Sequence, residues 1–365
     1  MAESTFCVTA QPPIINAADT TARNLSFMCP ALFNFHSTHQ PAVFVVHIGN
    51  MRAIVYDRYG PPEVLEVREL PSPIPAAGEV LVRVRAAALN PKDSLIRKGK
   101  FRAVTRDRFP RLLGYDVAGV VAAVGQGVTR FRVGDEVFGM KQAWAGGTIA
   151  EEVCMLVDEL ALKPSKLSFE DAAALPLAGL TALQALRDEG RLKPGQKVLI
   201  NGGSGGVGVF AIQIARALGA HVTTISSARN LELCKSLGAH ETLDYATQNG
   251  LQAGAGWDVF FDVFGNRRFS QVRSALLPTG TYVSTVPAVN TVVMHVLTRF
   301  FARRARLVVV KSNARDLEQL AQWAHAGTLS AVVDRVVPFT EVGSGQAHVE
   351  TKRARGKVVI AVAPS

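Results

Sequence analysis

The segment that most constrains the fold is the stretch from Lys197 to Gly219, KVLINGGSGGVGVFAIQIARALG. Lys197 to Ile200 is a short apolar run suited to a strand buried on both faces. Gly202, Gly203, Gly205, Gly206 and Gly208 follow, and from Val209 apolar residues recur at helical spacing through Phe210, Ile214, Ala217 and Leu218. The expectation is strand, glycine turn, helix. Gly203, Gly205 and Gly208 fit GxGxxG, while Gly202, Gly205 and Gly208 fit GxxGxxG. Both spacings serve one purpose: the turn is tight, the backbone of residues 202–208, with Ser204 and Val207 among the glycines, approaches a pyrophosphate, and the helix start presents N–H groups to it. All seven residues of the turn, Gly206 included, are expected at the cofactor. A strand before and a helix after supply the context that the motif needs to signal a dinucleotide.

At 365 residues and 48% hydrophobic composition the chain can bury two domain cores. The four cysteines (Cys7, Cys29, Cys154 and Cys234) show no CxxC pair, which argues against a disulfide scaffold and fits a reducing, cytoplasmic setting. No apolar run is long enough to span a bilayer. The net charge of +10 is carried by residues after the first fifty, where the bases are dispersed except for a cluster at Arg299, Arg303, Arg304 and Arg306. Dispersed bases without interleaved aromatics fit a basic enzyme that takes a phosphate-rich cofactor, and nucleic acid is not the expected partner. Residues 1–50, rich in Ser, Thr, Asn, Pro and His without a period, are expected to be a disordered extension, with folding beginning near Met51.

From Met51 to Val157 short strands separated by Gly and Pro predict a β-barrel-like domain. Ser168 to Ala185 reads as a helical linker with Ser168 as N-cap and Asp171 at the third helical position. Strands and helices then alternate: strands at 221–226 and 257–263, a third ending at Tyr245, a fifth over 280–286 and a sixth over 306–311, with helices over 231–237, 269–277, 290–305 and 313–326. That alternation predicts a parallel doubly wound sheet. Residues 332–337 and 357–362 read as β again and return to the first domain.

The chain resembles the medium-chain dehydrogenase/reductase superfamily, and within it the zinc-free quinone oxidoreductases. The resemblance rests on AALNPKDSLIRKG at 86–99, LGYDVAGVVAAVGQGVTRFRVGDEVFG at 113–139, AAALPLAGLTALQAL at 172–186, the glycine turn, and GKVVIAV at 356–362. It implies an α/β fold in which a GroES-like β-barrel domain (51–175, completed by 316–365) receives an inserted Rossmann doubly wound parallel sheet domain (176–315). It also implies a homodimer. In the zinc alcohol dehydrogenases that it resembles, a cysteine and a histidine ligand stand at the positions of Asn90 and Tyr115, and a third ligand near Leu177. Asn, Tyr and Leu are not usual zinc ligands, so no metal is expected. Without a Lewis acid, reduction of an electrophilic acceptor is easier chemistry than oxidation of an alcohol.

The second strand ends in Ser226-Ser227-Ala228-Arg229, with no acid before Glu232. Hydroxyls followed by a base suit a 2′-phosphate, which predicts NADPH as cofactor. The resemblance adds Tyr245 to that subsite, and places Val263 and Gly265 at the nicotinamide ribose. Val309 and Val310 read as sheet core that reaches the carboxamide through backbone groups. The resemblance also implies that Asn90, Asp93 and Tyr115 line the cleft: Asn90 to bond a substrate carbonyl, Tyr115 to donate a proton or to pack, and Asp93 to orient Asn90 or the ribose, or else to cap a helix starting at Ser94. The reading is an NADPH-dependent, zinc-free reductase of a quinone or an α,β-unsaturated carbonyl. The alternatives are an enoyl-thioester reductase and a non-catalytic NADPH-binding regulatory or RNA-binding protein.

Overall fold

The structure, a computed structural model, describes residues 49–362 except 106, 107, 143, 145, 249, 253 and 254. The disordered extension expected over 1–50 lies outside the described residues but for its last two. The chain enters on β1 (Asn50–Tyr56) and β2 (Glu66–Pro71), and β3 (Glu79–Leu89) leads into α1 (Pro91–Arg97) and the single turn α2 (Arg102–Thr105). β4 (Arg111–Leu112), β5 (Asp116–Val124), β6 (Glu136–Met140), β7 (Glu152–Leu156) and β8 (Leu160–Leu162) follow, then α3 (Phe169–Ala174) and α4 (Pro176–Gln184). The expected helical linker is thus two helices. Pro176 opens the second, where its missing N–H does no harm, and Ser168 Oγ accepts from Asp171 N–H at 3.0 Å as the N-cap of the first. Every residue of α4 is buried, which explains its apolar character all round.

The alternating part runs β9 (Lys197–Asn201), α5 (Gly208–Ala217), β10 (His221–Ser226), α6 (Leu231–Ser236), β11 (Glu241–Asp244), β12 (Trp257–Asp262), α7 (Phe269–Val272), β13 (Leu276–Ser284), α8 (Val289–Leu297) and β14 (Arg304–Leu307). Its six strands lie in the order β11-β10-β9-β12-β13-β14, and all are parallel. The order reverses between β9 and β12, the place where doubly wound sheets open a crevice for ligands. The chain closes with α9 (Ala314–His325), β15 (Val333–Pro338), α10 (Val342–Glu350) and β16 (Lys357–Ala361). β15 and β16 add to β3, β5, β6 and β8, so one seven-stranded sheet is built from both ends of the described chain, with β7 pairing β3 off that path. This is the GroES-like part with the parallel sheet inserted.

Four local expectations need correction. The sixth strand lies at Arg304–Leu307, not 306–311, because β13 ends at Ser284 and its ladder with β14 runs out at Ser284↔Leu307. Thr298 Oγ1 also accepts from Ala305 N–H at 2.8 Å, which brings the strand start close behind α8. Val309, expected in the sheet core, is 68% exposed. The helix expected over 269–277 is a short turn, since Leu276 already pairs with Trp257. The helix begun at Ser94 starts instead at Pro91, with Asn90 at its N-cap. Helix α10 was not among the expected elements, and it contains two poor helix formers, Gly343 and Gly345. Gly345 is there for packing: a Cβ on it would stand 2.9 Å from Leu89 Cδ1.

Candidate active site

The glycine turn sits at the reversal of strand order. Asn201, the last residue of β9, donates through Nδ2 to Asp262 Oδ1 at 2.8 Å at the end of β12. Gly202 has φ +98°, a conformation open to glycine. A Cβ on Gly203 would lie 2.9 Å from Thr224 Cβ, and one on Gly208 would collide with the Gly202 carbonyl, so these two glycines let α5 pack closely on the strands. Gly205 differs. An added Cβ would meet nothing nearer than the Gly202 carbonyl oxygen at 3.6 Å. The space over Gly205 is an open backbone cradle, and among the described residues no side chain caps α5. A cradle of this kind at a helix start fits a pyrophosphate.

Gly206, expected at the cofactor with the rest of the turn, has a different neighbour. A Cβ there would stand 3.3 Å from Lys357 Cδ and 3.4 Å from the Gly356 carbonyl oxygen. The open side of Gly206 is taken up by the start of β16, and the absence of a side chain lets that strand come close to the turn. Only the Gly206 backbone remains for the cradle.

The residues expected at the two ends of the cofactor surround this turn. Asp262, fully buried, accepts from Gly265 N–H (2.9 Å), Arg267 N–H (3.0 Å) and the Tyr282 hydroxyl (3.0 Å), which holds the Val263–Gly265 turn. Val263 N–H donates to the Asn201 carbonyl at 3.1 Å, so that turn abuts the glycines. On the other side Tyr245 N–H donates to the Ser226 carbonyl at 3.0 Å, and the Tyr245 side chain is 63% exposed. Ser227 and Arg229 lie beside it at the surface. Ser226, expected to offer its hydroxyl outward, is buried. Its Oγ accepts from Cys234 Sγ at 3.7 Å and donates to the Ser227 carbonyl at 3.4 Å. Ser204 Oγ accepts from Asn230 Nδ2 at 2.9 Å, a contact with no local sequence signal.

The catalytic candidates converge on a carboxylate that the sequence reading did not single out. Asp116, fully buried, accepts at Oδ1 from Leu177 N–H (2.7 Å) and at Oδ2 from Asn90 Nδ2 (2.9 Å) and Lys357 Nζ (3.1 Å). Lys357, 3% exposed, also donates to Asn90 Oδ1. Two of the three positions that carry zinc ligands in the zinc alcohol dehydrogenases, Asn90 and Leu177, are thus tied to a buried Asp116–Lys357 pair. The third, Tyr115, donates its hydroxyl proton to the Trp144 carbonyl at 2.8 Å. An amide locked by a lysine, an engaged phenol and a leucine do not fit a zinc site. Lys357 carried no signal of its own: Lys197 opens a similar apolar run, KVLIN, and is exposed.

Around this hub the electrostatics are those of a dry site. Asp93 Oδ2 accepts from Asn90 N–H at 2.6 Å, which orients the Asn90 backbone. Among the described residues Asp93 Oδ1 is buried with no hydrogen-bond partner. Burial pushes the Asp93 carboxyl up to about 7 against the pull of that N–H. Burial pushes the Lys92 ammonium down from its ordinary value, and Lys92 Nζ sits 3.7 Å from the centroid of the Tyr115 ring. Burial, with the nearby Asp93 charge, raises the Tyr115 phenol well above its ordinary value.

Two family models match the chain: "Alcohol dehydrogenase GroES-like domain" over residues 76–165 and "Zinc-binding dehydrogenase" over 237–360. Among curated proteins, the chloroplast envelope quinone oxidoreductase homolog of Arabidopsis thaliana is 34% identical over 323 residues, 85% of this chain and 98% of that protein. The chloroplastic NADPH-dependent alkenal/one oxidoreductase of Arabidopsis thaliana is 36% identical over 325 residues, 85% of this chain and 79% of that protein. Among solved structures, the quinone oxidoreductase of Coxiella burnetii superposes with a TM-score of 0.80 at 35% identity, covering 86% of this chain and all of that one (100%).

Two outcomes follow from this geometry. Gly205→Val keeps the fold, because the new side chain enters open space, but weakens dinucleotide binding on the order of a hundredfold; calorimetric titration reads the loss, and unchanged affinity in a folded variant would place the cradle elsewhere. Lys357→Met strands Asp116 and destabilises the protein by about 3–5 kcal/mol at neutral pH. Burial already holds the Asp116 carboxyl above its ordinary value, and loss of Lys357 raises it further, so the extra loss is smallest in acid and grows as pH rises through the range where Asp116 ionises in the wild type. Adding Asp116→Leu recovers much of the stability. Urea midpoints of the single and double variants at acid and neutral pH check both statements, and a double variant as weak as the single one contradicts the pairing.

Proposed function

The chain belongs to the quinone oxidoreductase family of the medium-chain dehydrogenase/reductase superfamily, and from that premise we propose that it is an NADPH-dependent reductase of a quinone or an α,β-unsaturated carbonyl that works without zinc. The observation that carries the proposal is the Asp116–Lys357 hub beside the glycine cradle. Where a zinc enzyme gathers its metal ligands, this chain gathers an amide and a lysine.

When bound, the reduced nicotinamide supplies a hydride. The backbone of residues 202–208 and the start of α5 hold the pyrophosphate. Ser227, Arg229 and Tyr245 hold the 2′-phosphate, with Ser226 acting through its backbone, and Val263 and Gly265 shape the nicotinamide ribose site. Asn90 is held by Lys357 and Asp116, and these preorganised dipoles and the ammonium stabilise negative charge that develops on the acceptor oxygen. Tyr115 packs, because its proton is already given to the Trp144 carbonyl. Asp93, at about 7, is the carboxyl that exchanges a proton near neutrality.

The test is NADPH oxidation against a panel of quinones, enones and enoyl thioesters, with chelator present and across pH. Expected are turnover of quinones or enones, no loss with chelator, and a fall in turnover as pH rises through about 7, where Asp93 loses its proton. Turnover of thioesters alone favours the enoyl-thioester reading. Binding of NADPH without turnover, together with salt-sensitive RNA binding, favours the non-catalytic one.

A homodimer is part of the proposal. β14 is the edge of the six-stranded sheet, and beside it Val289, Val296, Phe300 and Phe301 lie exposed, an apolar face that a second copy would cover. Light scattering is expected to give twice the mass of one chain; a single-chain mass removes the dimer. Among the described residues no helix is long and apolar enough to cross a membrane. A cytoplasmic setting rests on the free thiols Cys154 and Cys234, and cell fractionation is its direct check.

A further inference from the structure

We propose that Arg355 is a second cation of the 2′-phosphate subsite and that, with Arg229, it sets the preference for NADPH over NADH. The inference rests on the reading of Arg229 given above. Arg355 lies in the turn between α10 and β16, far from the adenosine subsite in sequence. Its Nε donates to Asn230 Oδ1 at 2.8 Å, and its Nη2 donates to the Arg229 carbonyl at 2.9 Å. Asn230 is buried, and its other amide end is bonded to Ser204 Oγ in the glycine turn. The Arg355 backbone N–H is anchored on Asp334 Oδ1 at 3.2 Å, and Asp334 Oδ2 is held in turn by His348 Nε2 at 2.6 Å. The guanidinium is therefore set between the cradle for the pyrophosphate and the loop that follows β10.

An arginine carries five N–H donors, and these two bonds use two of them. Among the described residues no carboxylate pairs with the guanidinium of Arg355 or of Arg229. Two guanidinium groups on neighbouring residues, neither paired with a carboxylate among the described residues, leave donors for a dianionic phosphate, which would gain charge-assisted hydrogen bonds. NADH has only a hydroxyl at that place. The chemistry therefore selects a 2′-phosphorylated adenosine, and Arg355 arrives with its orientation already fixed by Asn230 and the Arg229 carbonyl.

Equilibrium binding tests the assignment. Dissociation constants for NADPH, NADH, adenosine 2′,5′-bisphosphate and AMP are measured by calorimetry on wild type, Arg229→Ala and Arg355→Gln. Arg355→Gln is expected to weaken NADPH and the bisphosphate about tenfold to a hundredfold, and to leave NADH and AMP within about threefold. Equal weakening of all four ligands means that Arg355 only shapes the loop, and overturns the inference. A loss of discrimination in Arg229→Ala with none in Arg355→Gln also overturns it, while the NADPH reading stands. A wild type that binds NADPH no tighter than NADH overturns that reading and the inference together. A crystal structure of the wild-type protein with adenosine 2′,5′-bisphosphate gives an answer free of any folding defect in the variants. An Arg355 nitrogen within about 3.2 Å of a 2′-phosphate oxygen is expected, and a separation beyond hydrogen-bond reach overturns the proposal.

Discussion

The site depends on the bond from Gly356 N–H to the Ser204 carbonyl, 3.0 Å long. It ties the start of the last strand to the glycine turn, and Gly205 and Gly356 form an isolated parallel bridge there. The residues on either side complete the connection. Arg355 reaches Asn230 and the Arg229 carbonyl, while Lys357 reaches Asn90 and Asp116. Three consecutive residues thus touch the loop after β10, the glycine turn and the Asn90–Asp116 pair. They are held firmly because β16 lies inside the seven-stranded sheet, paired with β15 on one side and β3 on the other. A site carried on an inner strand has little freedom to drift.

The hub has an energetic logic of its own. A buried carboxylate–lysine pair is a weak source of stability, because desolvation offsets most of the attraction. Here the remaining valences are taken up by Leu177 N–H and both ends of the Asn90 amide, so the pair is satisfied. What the arrangement secures is orientation: Asn90 cannot rotate without breaking bonds to two charged groups. Next to it stand Asp93, with an unpartnered oxygen and a carboxyl at about 7, and Lys92 against the Tyr115 ring. Burial is the largest cause of the shifts at Asp93 and Lys92, and such shifted groups in a buried place are what the proposed chemistry would draw on.

The glycines divide by task. Gly203 and Gly208 are needed for the fold, since added side chains would strike Thr224 and the Gly202 carbonyl. Gly206 admits the Gly356–Lys357 segment, and a Cβ on Gly205 would, among the described residues, meet only the Gly202 carbonyl oxygen within 4 Å. The spacing of the motif does not separate these roles, but the space around each residue does. The same holds for the serines at the end of β10. Ser226 and Ser227 are adjacent hydroxyls in the sequence, yet the pleat turns the first inward to Cys234 and leaves the second near the surface.

What the chain determined by itself was whatever depends on local period and local backbone. The strand at 197–201, the turn and α5 follow from an apolar run, glycines and 3.6-residue spacing, and the strands at 116–124 and 221–226 appear where their patterns place them. The parallel order followed from the alternation of strands and helices. The start of β14, the helix α10, the contact at Gly206 and the burial of Ser226 were decided by partners distant in the sequence or in the fold. These are the length of the β13 ladder, the wall that Leu89 presents to Gly345, the start of β16, and the Cys234 thiol. The site went the same way. Asn90, Asp93 and Tyr115 could be named only through the family resemblance, and the lysine that holds Asn90 is 267 residues away while the arginine that holds Asn230 is 125 away. No period or spacing encodes such pairs. They exist because the chain's last strand returns to an inner place in the first sheet, and tertiary structure alone makes that juxtaposition.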